Sequence, residues 1–276
     1  MPIKIILAGE GGQGVQTVAK VLALSAQKTP KNISYIPSFG VEQRGGVSLA
    51  FVQISSKQIP YPRFAKADIM AVFCERAVGA IKNYLQTSTI FIYDNSAISE
   101  KKLAKVKNIV KNYLAIPAQK IAQEKYSVKA ANMLFLGALL SHLKEISFEE
   151  VEKQVLKELE DKIAKKPEIK EKNLGALREG LQIAQNFDSS KQPFEGMAEK
   201  DIQREFKNDK ISWTRFPEYC KGCGLCIVRC PVHALSFSDD TGFLGTPLPA
   251  VDLDKCTACG NCQRICPDGA IKVEKQ

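Results

Sequence analysis

The chain has 276 residues, 45% of them hydrophobic and 25% charged, with a formal net charge of +9. That is ordinary globular usage, which excludes a disordered or collagen-like chain, and the length favours two domains over one. The basic excess lies in residues 1–186, with 27 Lys/Arg against 17 Asp/Glu, whereas residues 187–276 hold 12 against 13. The lysines are scattered along helix-like stretches such as 101–111 and 153–172, so they read as solvated faces and no nucleic-acid partner is expected. The run Ala130–Leu140, broken by Asn132 and Gly137, is too short to span a bilayer and reads as a buried helix. No membrane partner is expected. The N-terminal residues lack the apolar core and cleavage site of a signal peptide, which predicts a cytoplasmic protein.

Ile3–Ala8 is an apolar, β-rich run, Gly9–Gly14 a turn, and Val15–Gln27 has helical periodicity. Asn32–Ile36 and Val47–Ile54 read as strands around the polar, glycine-bearing loop Ser38–Gly46. Asp68–Phe73 and Thr89–Tyr93 read as buried strands with a helical Glu75–Leu85 between them. This alternation predicts an α/β domain with a mainly parallel sheet and flanking helices. Beyond Ala118 the pattern is helical. Val128–Leu143 reads as a buried helix, and Ser147 with Glu150 as a capping box opening Phe148–Ile163. After Pro167 comes Glu168–Asn186, with Leu174, Leu177, Leu181 and Ala184 facing inward. The expected domains are 1–186, a linker over 187–210, and a small α+β domain over 211–276.

Eight of the nine cysteines lie between Cys220 and Cys266. Such crowding argues for metal rather than disulfides in a reducing compartment. Tyr219–Phe237 repeats as Lys255–Val273 at an offset of 36 residues, with four cysteines and a proline matched. Cys220, Cys223, Cys226 and Cys230-Pro231 spell C-x2-C-x2-C-x3-C-P, and Cys256, Cys259, Cys262 and Cys266-Pro267 spell it again. A four-iron cube needs one thiolate per iron, and two-residue gaps let a small loop wrap three corners. Gly222, Gly224 and Gly260 permit the tight backbone. In such runs the fourth cysteine ligates the other cluster. Cys220, Cys223, Cys226 and Cys266 are therefore expected to hold one [4Fe–4S] cluster, and Cys256, Cys259, Cys262 and Cys230 the second. Structural zinc favours separated C-x2-C knuckles and fits this pattern poorly. Cys74 reads as a small buried hydrophobe and His142 as a satisfied core residue, while His233 reads as a surface side chain.

Gly9-Glu10-Gly11-Gly12-Gln13-Gly14 contains G-x-G-x-x-G after a strand and before a helix. The second strand ends Tyr35-Ile36-Pro37-Ser38 with no carboxylate for a ribose, which argues against a dinucleotide site. Two readings remain for Gly11, Gly12, Gln13 and Gly14: an anion cradle at a helix N-terminus, against which Glu10 adds negative charge, or a tight structural turn. The Ser38–Gly46 loop offers Glu42 and Arg44 on a glycine-rich backbone, and Arg44 is the candidate for a bidentate anion contact. In a parallel sheet both loops should gather at the carboxyl edge.

GEGGQG, then SFGVEQRGG, then Ala131-Asn132-Met133 with Leu136-Gly137-Ala138-Leu139, resembles the gamma subunit of 2-oxoacid:ferredoxin oxidoreductases over roughly residues 1–186. The C-terminal segment resembles bacterial two-cluster ferredoxins and the delta subunit of the same enzymes, so the chain looks like a gamma–delta fusion. The resemblance implies alpha and beta partner subunits bearing thiamine diphosphate and Mg2+, and coenzyme A as acyl acceptor. It further implies two [4Fe–4S] clusters passing electrons to ferredoxin. No thiamine motif is visible here, so no catalytic residue is expected in this chain. Two alternatives are a stand-alone ferredoxin-fused electron carrier and a nucleotide-dependent iron–sulfur oxidoreductase. The missing acid weighs against the latter, and the long basic first domain against the former.

Overall fold

A computed structural model describes residues 2–39, 46–188, 203–217, 219–241 and 247–275. The chain divides into two units, 1–198 and 199–276.

The first unit opens with β1 (Ile3–Glu10), α1 (Val15–Ala26), β2 (Asn32–Phe39), β3 (Val47–Ser55) and β4 (Ile69–Val72). The stretch expected as one helix over Glu75–Leu85 is instead a 3-10 turn, the short helix α2 (Val78–Ile81) and a second 3-10 turn. Then follow β5 (Ile90–Asp94), α3 (Glu100–Lys107), β6 (Asn112–Ile116), α4 (Ala118–Lys125), α5 (Ala131–Leu140), α6 (Phe148–Glu158), α7 (Glu160–Lys165) and α8 (Glu168–Asn186). One expected helix over 148–163 is thus two, parted at Leu159. Ser147 Oγ accepts the Glu150 N–H at 3.2 Å, giving one half of the expected capping box, while the Glu150 carboxylate accepts from Gln154 at 2.9 Å.

The six strands form one sheet in the order β2-β3-β1-β4-β5-β6. β1, β4, β5 and β6 pair in parallel, and β3 runs antiparallel to both β1 and β2. Five strands therefore share a direction and β3 is the reversed one. The seven residues separating β2 from β3 in sequence are too few for a parallel crossover, in keeping with that reversal. Alternate residues divide β1 between two cores. Ile5 and Leu7 pack under α1, α4, α5, α6 and α8, and Ile6 and Ala8 pack under α2 and α3.

α5 is buried nearly all round, and it crosses α8 at two glycines. A Cβ on Gly137 would stand 2.0 Å from the Leu177 carbonyl oxygen, and one on Gly180 would stand 2.1 Å from the Leu134 carbonyl oxygen. Phe135 on the same helix stacks on Phe73 with ring centres 4.2 Å apart.

The second unit contains β7 (Glu205–Lys207), β8 (Ile211–Arg215), α9 (Leu225–Val228), β9 (Leu235–Thr241), β10 (Pro247–Val251), α10 (Asn261–Ile265) and β11 (Ile271–Lys275). β8 lies between β11 and β7, and β9 pairs with β10, all antiparallel. β7 falls within the stretch expected as linker, because its three residues are too few to show a period. Arg215 is buried at the end of β8, where it donates to the carbonyls of Gln203 and Pro249 and to Ser238 Oγ, and pairs with Asp240.

Candidate iron–sulfur centres and the carboxyl edge of the sheet

The 36-residue repeat extends to the backbone of the second unit. Gly222 and Ala258, Gly224 and Gly260, and His233 and Gly269 are equivalent pairs, and all six residues have positive φ. Gly224 and Gly260 cap α9 and α10 in the left-handed conformation. His233 carries that conformation at the position its counterpart fills with glycine.

Two cavities lie within this unit. One is lined by Cys220, Cys223, Cys226 and Cys266, with Phe237, Pro249 and Ile271. The other is lined by Cys256, Cys259, Cys262 and Cys230, with Trp213, Leu235 and Val251. Each cavity thus collects three cysteines from one run and the fourth from the other. The crossing residues are held alike, the Ala234 N–H donating to Cys230 Sγ and the Ala270 N–H to Cys266 Sγ, both at 3.3 Å. All eight thiols are free. Burial pushes the Cys220 and Cys262 thiols up and the Cys226 thiol up to about 12, so cluster binding there is coupled to proton release. Among the described residues no three His, Cys, Asp or Glu side chains converge on a point that could hold a single metal ion. Four thiols spread around a cavity suit a multi-iron cube, whose corners stand apart, better than one tetrahedral zinc.

The glycine turn of the first unit lies at the carboxyl edge of the sheet. The Glu10 N–H donates to Gln13 Oε1 at 2.9 Å, the Gln13 N–H to the Glu10 carbonyl at 3.1 Å, and the Gly11 N–H to the Gly46 carbonyl at 3.0 Å. Two of the four amides of the expected anion cradle, those of Gly11 and Gln13, are therefore spent inside the protein. Gly12 and Gly14 have φ of 104° and 80°, and a Cβ on Gly14 would meet Asn132 Nδ2 at 2.2 Å. The turn thus closes β1 onto α1 with α5 packed against it. Gly46 joins the two glycine-bearing loops, as expected from the topology. Arg44 and Glu42 lie outside the described residues.

Other carboxylates at this edge gave no clear sequence signal. Glu10 is buried, and neither carboxylate oxygen has a hydrogen-bond partner. Burial raises its pKa to about 8, against the opposing pull of Arg76. Asp94, at the end of β5, accepts from the Ser96 N–H and hydroxyl and from the Gln119 N–H, and so anchors the start of α4. Burial outweighs these bonds and lifts its pKa to about 6. Its only sequence trace is a carboxylate closing an apolar strand before Asn-Ser. Cys74 is buried and its thiol is pushed up to about 12, in keeping with an inert core residue. His142 departs from expectation: its Nε2 is buried without a partner, and burial lowers its pKa.

Residues 4–183 match the family model for pyruvate ferredoxin/flavodoxin oxidoreductase, and residues 219–270 match the 4Fe-4S dicluster domain. The 2-oxoglutarate synthase subunit KorC of Methanocaldococcus jannaschii is 32% identical over 186 residues, covering 67% of this chain and 95% of that protein. The common gamma subunit of the pyruvate/ketoisovalerate oxidoreductases of Pyrococcus furiosus is 29% identical, over 67% of this chain and 99% of its own. The gamma subunit of a keto/oxoacid ferredoxin oxidoreductase from Geobacter sulfurreducens shares the fold, with a TM-score of 0.51 at 23% identity, over 66% of this chain and 98% of that one. The 2-oxoglutarate:ferredoxin oxidoreductase of Magnetococcus marinus, solved with 2-oxoglutarate, coenzyme A and succinyl-CoA bound, superposes with a TM-score of 0.58 at 23% identity. That likeness covers 82% of this chain and 37% of the other. The chain belongs to the pyruvate ferredoxin/flavodoxin oxidoreductase family. Within it, the chain is a gamma-type subunit of a 2-oxoacid:ferredoxin oxidoreductase that carries a 4Fe-4S dicluster domain, one part of a multi-subunit enzyme. Among the described residues no helix is long and apolar enough to cross a membrane.

Proposed function

We propose that this subunit carries electrons away from the oxidative decarboxylation of a 2-oxoacid, or toward the reverse reaction, in a cytoplasmic complex. The relatives are named for 2-oxoglutarate, pyruvate and ketoisovalerate, which supports a 2-oxoacid as the substrate class. Thiamine diphosphate and Mg2+ belong to alpha and beta partner subunits, and coenzyme A takes the acyl group there. The two [4Fe–4S] clusters, when bound, supply one-electron transfer, and ferredoxin is the exchange partner. Cys220, Cys223, Cys226 and Cys266 hold the first cluster, and Cys256, Cys259, Cys262 and Cys230 the second.

The observation that carries this reading is the cysteine set around each cavity, three from one run and one from the other. The edge at the glycine turn of Gly11, Gly12, Gln13 and Gly14 faces the partner subunits or coenzyme A, and Arg44 is the residue to which an anion contact there is assigned. No catalytic residue is assigned in this chain.

Anaerobically prepared protein should contain about eight iron and eight sulfide per chain, four of each per cube. Cys230→Ser should damage the cluster held by Cys256, Cys259 and Cys262, and Cys266→Ser the other, in paramagnetic resonance spectra. If each serine perturbed only the cluster of its own run, the crossed assignment would be wrong. Stoichiometric zinc without sulfide would overturn the iron–sulfur reading itself.

A further inference from the structure

The two cluster cavities share their positive-φ backbone positions but differ in their side chains, and one differing pair bears on the sulfur atoms of the clusters. Seven residues ahead of the first cysteine run stands Trp213, and seven ahead of the second stands Pro249. Each lines the cavity of the opposite run. Trp213, on β8, faces the cavity of Cys256, Cys259, Cys262 and Cys230, and Pro249, on β10, faces the other. Backbone N–H···S bonds match between the two sites at Ala234 and Ala270. The side-chain donor does not match, because proline has none.

Trp213 is fully buried, and its Nε1–H has no hydrogen-bond partner within the protein. A buried N–H without an acceptor is costly, and native folds rarely leave one. This one borders a cavity whose occupant is built from sulfur acceptors. Hydrogen bonds to thiolate or sulfide spread negative charge and stabilise the reduced cluster, which raises its potential. The charged side chains that line the other cavity, Lys221 and Asp268, pair with each other at 3.1 Å.

We propose that the Trp213 indole N–H donates to a sulfur of the cluster held by Cys256, Cys259, Cys262 and Cys230, and so raises the reduction potential of that cluster alone. The inference rests on the ligand assignment above.

The chain has a single tryptophan, so labelling or replacing that amino acid alters one site only. In holoprotein grown with indole-15N tryptophan, electron–nuclear spectra of the reduced clusters should show a 15N coupling to one of the two. With β-(benzothienyl)alanine, which puts sulfur in place of the N–H, one potential should move negative and the other stay. Trp213→Phe should move the same one, and Cys223→Ser identifies it by removing the first cluster's signal. Full iron and sulfide with no 15N coupling and unchanged potentials would overturn the inference. So would an equal shift of both clusters, or a shift confined to the cluster of Cys220, Cys223, Cys226 and Cys266. Native protein lacking iron and sulfide would instead overturn the reading on which the inference rests. If the analogue or variant loads poorly, the 15N measurement on the native sequence still decides.

Discussion

The Gly11 amide donates to the Gly46 carbonyl at 3.0 Å, tying the turn that leaves β1 to the start of β3. Because β1 and β2 are both antiparallel to β3, their carboxyl ends share one edge. The two glycine-bearing segments separated by a whole helix and strand in sequence therefore meet there. This is the edge proposed to face the partner subunits. Arg44→Lys keeps the charge but loses the planar fork that binds a carboxylate or phosphate in bidentate fashion. It should weaken assembly with the partner subunits, or raise the apparent KM for coenzyme A, with iron content untouched. An Arg44→Lys subunit that assembles and turns over like the parent would reduce this loop to a connection.

Gly137→Ala tests the close crossing of α5 and α8. Helix propensity favours alanine by about 1 kcal/mol. The added Cβ, however, would stand 2.0 Å from the Leu177 carbonyl oxygen, which is backbone and cannot turn aside. Overpacking typically costs roughly 1–3 kcal/mol, and a backbone clash belongs at the upper end, so packing wins over propensity. The urea midpoint of the variant should fall. An unchanged or raised midpoint would mean that the helices separate freely at this point.

Glu10 gives the first unit a pH dependence with a definite sign. Its pKa is about 8 in the fold against 4.5 for a free carboxyl, so the folded protein holds the proton more tightly. The stability this contributes is complete below pH 4.5 and is lost as pH rises through about 8. Asp94, raised from 3.8 to about 6, adds a loss of the same sign at lower pH. Glu10→Gln should flatten the decline in melting temperature toward pH 8 and leave the variant more stable than the parent there. A variant whose melting temperature declines as steeply as the parent's would show that the carboxyl is solvated.

Arg215 joins β8 to the β9–β10 hairpin through the carbonyls of Gln203 and Pro249, Ser238 and Asp240. Arg215→Met keeps the volume but strands these acceptors. Removing one partner of a buried ion pair costs about 3–5 kcal/mol, which Asp240 moderates because its side chain is partly exposed. The second unit should melt earlier and lose iron faster to a chelator, while the first unit melts as before. Equal chelation rates for variant and parent would count against this role.

Where physical signals were local, the sequence revealed them. The cysteine runs are legible because cluster ligation fixes the spacing within a dozen residues. α8 matches its expected span of Glu168–Asn186, since Pro167 starts it and Leu174 and Leu177 keep the helical period. What depends on distant partners was hidden. Gly137 reads as a flaw in an apolar run until Gly180, far along the chain, is packed against it. Glu10 reads only as a negative charge at the glycine turn, because its burial in the fold leaves no local trace in the sequence. Asn112–Ile116 was not anticipated as a strand, being five residues at the sheet edge with one exposed end. Trp213 becomes informative only when the repeat is extended seven residues ahead of each cysteine run, where Pro249 is its counterpart.

The most direct test of the electron-carrying role is to ask which mixture reduces the clusters. The complex of this chain with its thiamine-bearing partners, given a 2-oxoacid and coenzyme A without an external acceptor, should develop the paramagnetic signals of reduced [4Fe–4S] clusters. The isolated holo-subunit under the same conditions should stay oxidised, yet give those signals with dithionite. Reduction of the isolated subunit by a 2-oxoacid would contradict the account, and so would a turning-over complex whose clusters never accept an electron.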